Sequence, residues 1–247
     1  SPPDPEAQTA DLARPSDRPE ARPDLSDFEN PNPPVTVATA APQPARSAEV
    51  FAAPDGAFQG FVMAHLQGPV LWLQDRQSAR LAGRPSLAGV LPQALLMRPA
   101  HPRDVLIAAE EGLACPALSA VVAEIHGNPT ALSFTATRRL ALRAEAHGVT
   151  LWLIRHAARP EPRALRDRWQ VTALPSAPNP DDPAAPGAAL WRVELLRTRD
   201  KRPGTWVVSH EAGPDGAPVR LHFAAELPNR APDAATGTGS ATPGGHP

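Results

Sequence analysis

Between residues 48 and 156, short apolar runs alternate with stretches that have a helical spacing of apolar residues. This pattern predicts strands separated by helices. Near-continuous apolar runs at 70–73, 119–123 and 149–154 are typical of strands buried on both faces of a parallel sheet. The predicted strands occupy 48–53, 69–74, 94–97, 118–125 and 149–155. This alternation favours right-handed βαβ crossovers and a sheet with helices on both faces.

Helical patterns lie between these strands. The stretch 58–66 follows the first strand after a short turn. The stretch 102–114 begins at a proline and repeats its apolar residues along one side, as expected for a helix that packs on a sheet. The stretch 135–148 is predicted to begin at a threonine cap and to end at Gly148.

Beyond His156 the pattern changes to short strands separated by turn residues. The candidate strands occupy 168–176, 189–199, 204–211 and 218–225. The turn sequence DKRPG joins two of them, so 190–211 is predicted to be an antiparallel hairpin. The complete prediction is an α/β fold of three layers, with a mostly parallel sheet, flanking helices and a C-terminal antiparallel extension.

Both ends of the chain differ in composition from its middle. Residues 1–47 are rich in proline and poor in apolar side chains, and the first thirty carry eight acids against three arginines. A segment of this kind cannot bury enough apolar surface to offset the entropy lost on ordering the chain. We therefore expect disordered ends at 1–47 and 227–247 around one domain at 48–226.

The residue counts argue against several kinds of chemistry. Cys115 is the sole cysteine, so neither a disulfide within one chain nor a cysteine zinc site is possible. The histidines are scattered without a pair at i, i+4, and we expect no metal site. No apolar run is long enough to span a membrane, and the first residues have no apolar leader, so a cytoplasmic protein is expected. The net charge of -2 argues against a uniformly basic nucleic-acid binder.

Several strings follow one another in a characteristic order across residues 48–211. They are GPVLWLQ, HPRDVLIAAEEGL, LSAVVAEI, LSFTATRRLALRAEAHGVTLWLIR, RDRWQVTALPS and LWRVELLRTRDKRPGTWVV. In these strings the chain resembles the ImuA family, a RecA-like and SulA-related family that is encoded in bacterial damage-inducible mutagenesis cassettes. The most diagnostic pieces are Thr135–Leu140 and Trp191–Leu196.

The resemblance implies a RecA-like core without catalysis of its own. Members of the family work beside ImuB, an inactive homologue of Y-family polymerases, and an error-prone replicative-type polymerase, and together they copy past damaged template bases. The implied function is an accessory role in translesion synthesis during the SOS response to DNA damage. The implied partners are an ImuB-like polymerase homologue, the error-prone polymerase, RecA and DNA.

Two alternatives stay open beside this reading. The first is a RecA-type ATPase with an atypical phosphate loop, which would take its lysine from a partner. The second is a SulA-like inhibitor of cell division.

The stretch 48–66 has the strand–turn–helix order of a phosphate-binding loop without its chemistry. Such a loop needs glycines around the phosphates, a lysine for the β and γ oxygens and a hydroxyl for Mg²⁺. A RecA-like alignment gives a degenerate loop made of Ala52, Asp55, Gly56, Ala57, Phe58 and Gln59. Phe58 falls at the lysine position and Gln59 at the hydroxyl position, and Lys201 is the only lysine of the chain. Asp55 adds a negative charge, so we expect no nucleotide cofactor and no ATPase activity.

Glu124 is the acid that could accompany Mg²⁺ in such a site. It lies near the end of the predicted strand 118–125, where a Walker B acid would stand. No hydroxyl of a phosphate loop faces it, and we interpret it as an ordinary acid at a strand end.

A basic turn follows the Trp191–Leu196 strand. Its charged residues are Arg197, Arg199, Lys201 and Arg202, and Arg138 and Arg139 add basic charge on the fourth helix. The functional interpretation is contact with a phosphate backbone or an acidic partner surface. The alternative is a solvated turn whose charges keep an edge hairpin soluble. No aromatic residue lies among the turn arginines, which argues against a platform that stacks bases, and Trp191 and Trp206 are predicted to belong to the core.

Overall fold

The computed structural model describes residues 43–52, 56–87, 91, 93–211 and 220–227. In these ranges the strands are β1 Ser47–Ala52, β2 Val70–Gln74, β3 Ala94–Met97, β4 Ala120–His126, β5 Thr150–His156, β6 Asp167–Leu174, β7 Leu190–Arg197, β8 Gly204–Glu211 and β9 Arg220–Leu227. The helices are α1 Ala57–Met63, α2 Arg76–Leu81, α3 Pro102–Leu113 and α4 Phe134–His147. Most of the two ends that were expected to be disordered lies outside these ranges, and β1 and β9 include Ser47 and Leu227 at their borders.

One sheet contains all the described strands, in the order β3-β2-β4-β5-β1-β6-β7-β8-β9. The pairs from β3 to β6 are parallel, and β6, β7, β8 and β9 follow one another antiparallel. The hairpin predicted at 190–211 is formed by β7 and β8. The prediction of a mostly parallel sheet with a C-terminal antiparallel extension is confirmed.

Two apolar clusters pack on opposite faces of the sheet. The first lies under α1 and contains Phe58, Phe61 and the indoles of Trp72, Trp152, Trp169, Trp191 and Trp206. The second lies under α3 and α4 and contains aliphatic residues such as Leu113 and Leu140. Alternate residues of β2, β4 and β5 enter the two clusters, which explains why these three strands are apolar on both faces. The three layers and the core positions of Trp191 and Trp206 are as predicted.

Two local details differ from the prediction. The side chain of Ser133, not that of a threonine, caps α4 by accepting a hydrogen bond from the Ala136 N–H at 3.2 Å. Helix α2 was not predicted, because its six residues are too short for a periodic apolar pattern. Its cap is Asp75, which accepts from the Ser78 N–H at 2.6 Å.

Among the described residues, no helix has both the length and the apolar character needed to cross a membrane. In the same ranges, no group of three or more His, Cys, Asp or Glu side chains is arranged to hold a metal ion.

Candidate functional site

The degenerate loop lies at the carboxyl end of β1. Gly56 is the residue before α1 and has a φ of 73°, a left-handed conformation that glycine adopts without strain. Ala52 ends β1 and Ala57 begins α1, whereas Asp55 lies outside the described residues. The glycine is therefore required by the turn itself, whether or not a phosphate is bound.

Phe58 fills the position where a phosphate loop has its lysine. Its side chain is only 1% exposed, and its ring packs edge-on against the ring of His156, with the centroids 4.9 Å apart. Gln59, at the hydroxyl position, is half-buried on the next step of α1. The first turn of α1 thus inserts an apolar ring into the core at this corner.

Glu124 is fully buried at the end of β4 and is held by three side chains. His156 Nε2 lies 2.9 Å from Oε2, Gln74 Nε2 donates to the same oxygen at 3.1 Å, and Trp72 Nε1 donates to Oε1. A carboxylate with three donors is well compensated for its burial. Because these donors occupy it, Glu124 is integrated into the core at the place where a Walker B acid would face a metal ion.

This polar cluster follows from the register of three neighbouring strands. Gln74 pairs with Glu124 across β2 and β4, and Glu124 pairs with Ile154 across β4 and β5. His156 stands two residues beyond Ile154 and so shares its face of the sheet. In the sequence, each of the three strands has a polar residue near its end. Only the strand order shows that Gln74, Glu124 and His156 lie side by side.

The basic turn lies at the opposite end of the parallel strands. Asp167 begins β6 beside Ala48 of β1, and Lys201 Nζ lies 3.0 Å from its buried carboxylate. Lys201 also donates to the Gln43 carbonyl, and Asp167 accepts from the Ala45 N–H at 2.8 Å. Lys201 therefore anchors the hairpin to the segment before β1.

Three other turn residues are free for contacts beyond the described chain. Arg197, Arg199 and Arg202 are exposed, and none of them forms an ion pair with a described residue. Arg166 lies beside the turn and bridges Glu145 of α4 and Asp200, at 2.6 and 3.3 Å. This bridge fixes the carboxyl end of α4 next to the hairpin.

The two predicted arginines of α4 have different environments. Arg139 Nη2 lies 2.8 Å from Glu110 of α3, which also binds Arg143. Arg138 is exposed and makes no ion pair within the described ranges. Both lie in the first half of α4, about two turns from the end that meets the hairpin. The structure therefore does not join all the predicted basic residues into one compact patch.

A search against protein-family models finds no match. Two curated proteins, both called Protein ImuA and both from Caulobacter vibrioides (strains NA1000 / CB15N and ATCC 19089 / CIP 103742 / CB 15), are each 33% identical to this chain over 165 residues. The aligned part is 62% of this chain and 66% of each relative. These matches assign the chain to the ImuA family. The resemblance in the sequence strings is thereby confirmed, and the chain spans about two thirds of the length of its ImuA relatives.

In this member of the ImuA family, a buried ion-pair network that the sequence did not reveal lies on the α4 face of the sheet. Glu49 of β1 binds Arg155 of β5 and Arg168 of β6, each at 3.0 Å. Arg155 also donates to the Gly127 carbonyl and to Asn128 Oδ1, both at 2.7 Å. Burial lowers the pKa of Arg155, and the Glu49 carboxylate opposes that shift. The network fixes the start of the β4–α4 connection, a structural role.

Proposed function

We propose that this chain is a non-catalytic accessory protein of damage-induced translesion DNA synthesis, which acts through contacts with proteins and DNA. The ImuA relatives and the family's mutagenesis cassettes support this proposal. Proposed protein partners are an ImuB-like polymerase homologue, an error-prone replicative-type polymerase and RecA.

The observation that carries the non-catalytic part is the filled corner at β1. Phe58 is buried against His156, and Glu124 already has three protein donors. A bound nucleotide would need a cation near its phosphates, and the only lysine is anchored to Asp167 at the other end of the sheet. Opening the corner would expose an aromatic ring and strip donors from a buried carboxylate, both of which are unfavourable.

The exposed arginines of the turn support contact with a phosphate backbone. Arg197, Arg199 and Arg202 are exposed in and beside the same turn, and each can donate to phosphate oxygens. Because no aromatic ring lies among them, we propose contacts to the backbone without base stacking.

The test is a binding assay with purified components. The full chain is titrated into an ImuB-like protein, the error-prone polymerase, RecA and a single-stranded DNA, each at several salt concentrations. We expect binding to at least one protein, and DNA binding that weakens with salt and with the Arg199→Glu/Arg202→Glu variant. Failure to bind any of the four would contradict the proposal.

A further inference from the structure

The end strand β3 carries apolar side chains on the surface. Leu95 is 60% exposed and Met97 43%, although their partners in the register, Leu71 and Leu73, are buried. Ile107 of α3 is 50% exposed on the same side of the sheet. Apolar residues grouped in this way, rather than scattered singly, are typical of interaction sites.

The same region is rich in arginines without acidic partners. Between residues 76 and 108 there are five arginines and one acid, Asp104, in a chain whose net charge is -2. All five arginines are exposed, and none forms an ion pair with a described residue: they are Arg76, Arg80, Arg84, Arg98 and Arg103. Asp104 is the only acid between residues 76 and 108, so this surface carries an excess of arginines over acids.

Two clefts bring the apolar and basic groups together at the carboxyl end of β3. One, of about 480 Å³, is lined by Met97, Arg98 and Ile107 together with Asp104, Pro99 and Ala108. The other, of about 560 Å³, is lined by Arg80 and Leu81 among others. The segment 97–104 lines both clefts, with residues 97–99 and Asp104 at the first and residues 100–102 at the second, so the two clefts lie next to each other along the chain.

We propose that this β3 surface, defined by Leu81, Leu95, Met97, Ile107 and the five arginines, docks an acidic segment of a partner protein that also carries aliphatic or aromatic residues. Carboxylates of the segment pair with the arginines, and its apolar side chains cover Leu95 and Met97. Arginine and methionine are enriched in protein interfaces, and arginine often dominates their energetics. This inference rests on the proposed function, which supplies the partner proteins.

The apolar side chains distinguish this surface from a nucleic-acid site. Phosphates gain nothing from covering Leu95, Met97 or Ile107, whereas a protein segment gains about 25 cal/mol for each Å² of apolar surface buried. The basic hairpin has a different composition, with arginines and few apolar neighbours, and lies at the other end of the parallel strands.

Four forms of the full chain test the docking surface: the wild type, Arg80→Glu/Arg98→Glu, Leu95→Ser/Met97→Ser, and the hairpin control Arg199→Glu/Arg202→Glu. All substituted residues are exposed, so we expect unchanged thermal unfolding, which is measured first. Affinities for the protein partner that the wild type binds and for single-stranded DNA are measured for each form. A photo-crosslinking residue in place of Ile107 then identifies the bound partner segment.

We expect both β3 variants to weaken binding of the protein partner by about tenfold or more, and the hairpin control to leave it within about twofold. For single-stranded DNA we expect the opposite, with the largest loss of affinity in the hairpin control. The crosslinked segment is expected to contain Asp or Glu together with aliphatic or aromatic residues.

Several results would overturn the docking surface. Equal protein binding by all four forms would do so while leaving the proposed function in place. Loss of DNA binding in the arginine variant, without loss of protein binding in the apolar variant, would make the surface a nucleic-acid site. Self-association of the wild type that both β3 variants abolish would make it an interface between copies. If the wild type binds none of the partner proteins, the docking surface falls together with the protein-contact part of the proposed function.

Discussion

At the scale of single residues, the degenerate loop keeps the glycine that its turn requires but has a phenylalanine where a nucleotide would require a lysine. Gly56 suits the turn because its φ of 73° is one that glycine adopts without strain. An added Cβ there meets nothing within 4 Å, so a substitution would strain the backbone without a clash. Weaker nucleotide binding in a Gly56 variant would therefore not prove that a phosphate binds at this loop. Phe58 is the more informative position, because its ring belongs to the core.

Restoring the lysine of a phosphate loop is expected to damage the fold. In Phe58→Lys the ammonium group would enter the space of a ring that is 1% exposed and packed on His156. We expect a loss of about 3 kcal/mol or more in the free energy of unfolding, from lost packing and a buried charge. Phe58→Leu, the control, is expected to lose about 1–2 kcal/mol. Urea unfolding measures both, and a Phe58→Lys variant as stable as Phe58→Leu would show that the corner is open.

His65 makes the stability depend on pH. Burial against Phe61 and Trp152 lowers its pKa below the ordinary value of 6.5, although its Nδ1 donates to the Phe61 carbonyl at 2.8 Å. Below pH 6.5 the unfolded chain therefore binds more protons at this residue than the folded chain, and protonation favours unfolding. We expect the free energy of unfolding to decrease as the pH falls below 6.5, because the stabilisation by neutral His65 is then lost. The variant His65→Gln is expected to lack this pH dependence. Urea unfolding of both forms between about pH 5 and 8 measures this; parallel curves would contradict the assignment.

At the scale of elements, α1 is placed by close packing on the antiparallel part of the sheet. A Cβ built on Gly60 would lie 2.5 Å from Cη2 and 2.8 Å from Cζ2 of Trp191, so the helix backbone rests on the indole. Trp191 belongs to β7, and Phe61 on the next step of α1 contacts Trp169 of β6 at 5.5 Å between centroids. The corner and the hairpin strands therefore share one apolar core.

Gly60→Ala tests this contact. In an unhindered helix the change would stabilise by about 1 kcal/mol. Here the methyl group must displace the buried ring of Trp191, and overpacking typically lowers stability by about 1–3 kcal/mol. We expect a net loss of unfolding free energy and a changed near-ultraviolet circular dichroism signal from the tryptophans. Gln59→Ala on the same helix serves as the control, and a Gly60→Ala protein that is more stable than the wild type would refute the packing.

The sequence predicted where the strands lie along the chain better than it predicted which side chains meet between strands. Continuous apolar runs predict buried strands such as β2, β4 and β5, and the turn sequence between β7 and β8 predicts that hairpin. The cluster around Glu124 was missed because it combines side chains of three strands that are distant along the chain. The same is true of the anchoring of Lys201, which depends on Asp167 and the segment before β1. Local patterns do not contain such pairings, which depend on strand order and register.

At the scale of the whole molecule, the degenerate loop and the two candidate binding surfaces lie at different places on the sheet. The filled corner lies at the carboxyl ends of the parallel strands, the basic turn at their amino ends, and the β3 surface along one edge of the sheet. We propose that the loop corner holds protein side chains in place of a nucleotide.

Calorimetric titration of Mg-ATP into the full chain, alone and with the partner protein that it binds, tests that claim most directly. We predict no saturable heat up to millimolar nucleotide in either case, because Phe58 and the donors of Glu124 occupy the corner. Saturable binding that Glu124→Gln abolishes in a correctly folded protein would contradict it.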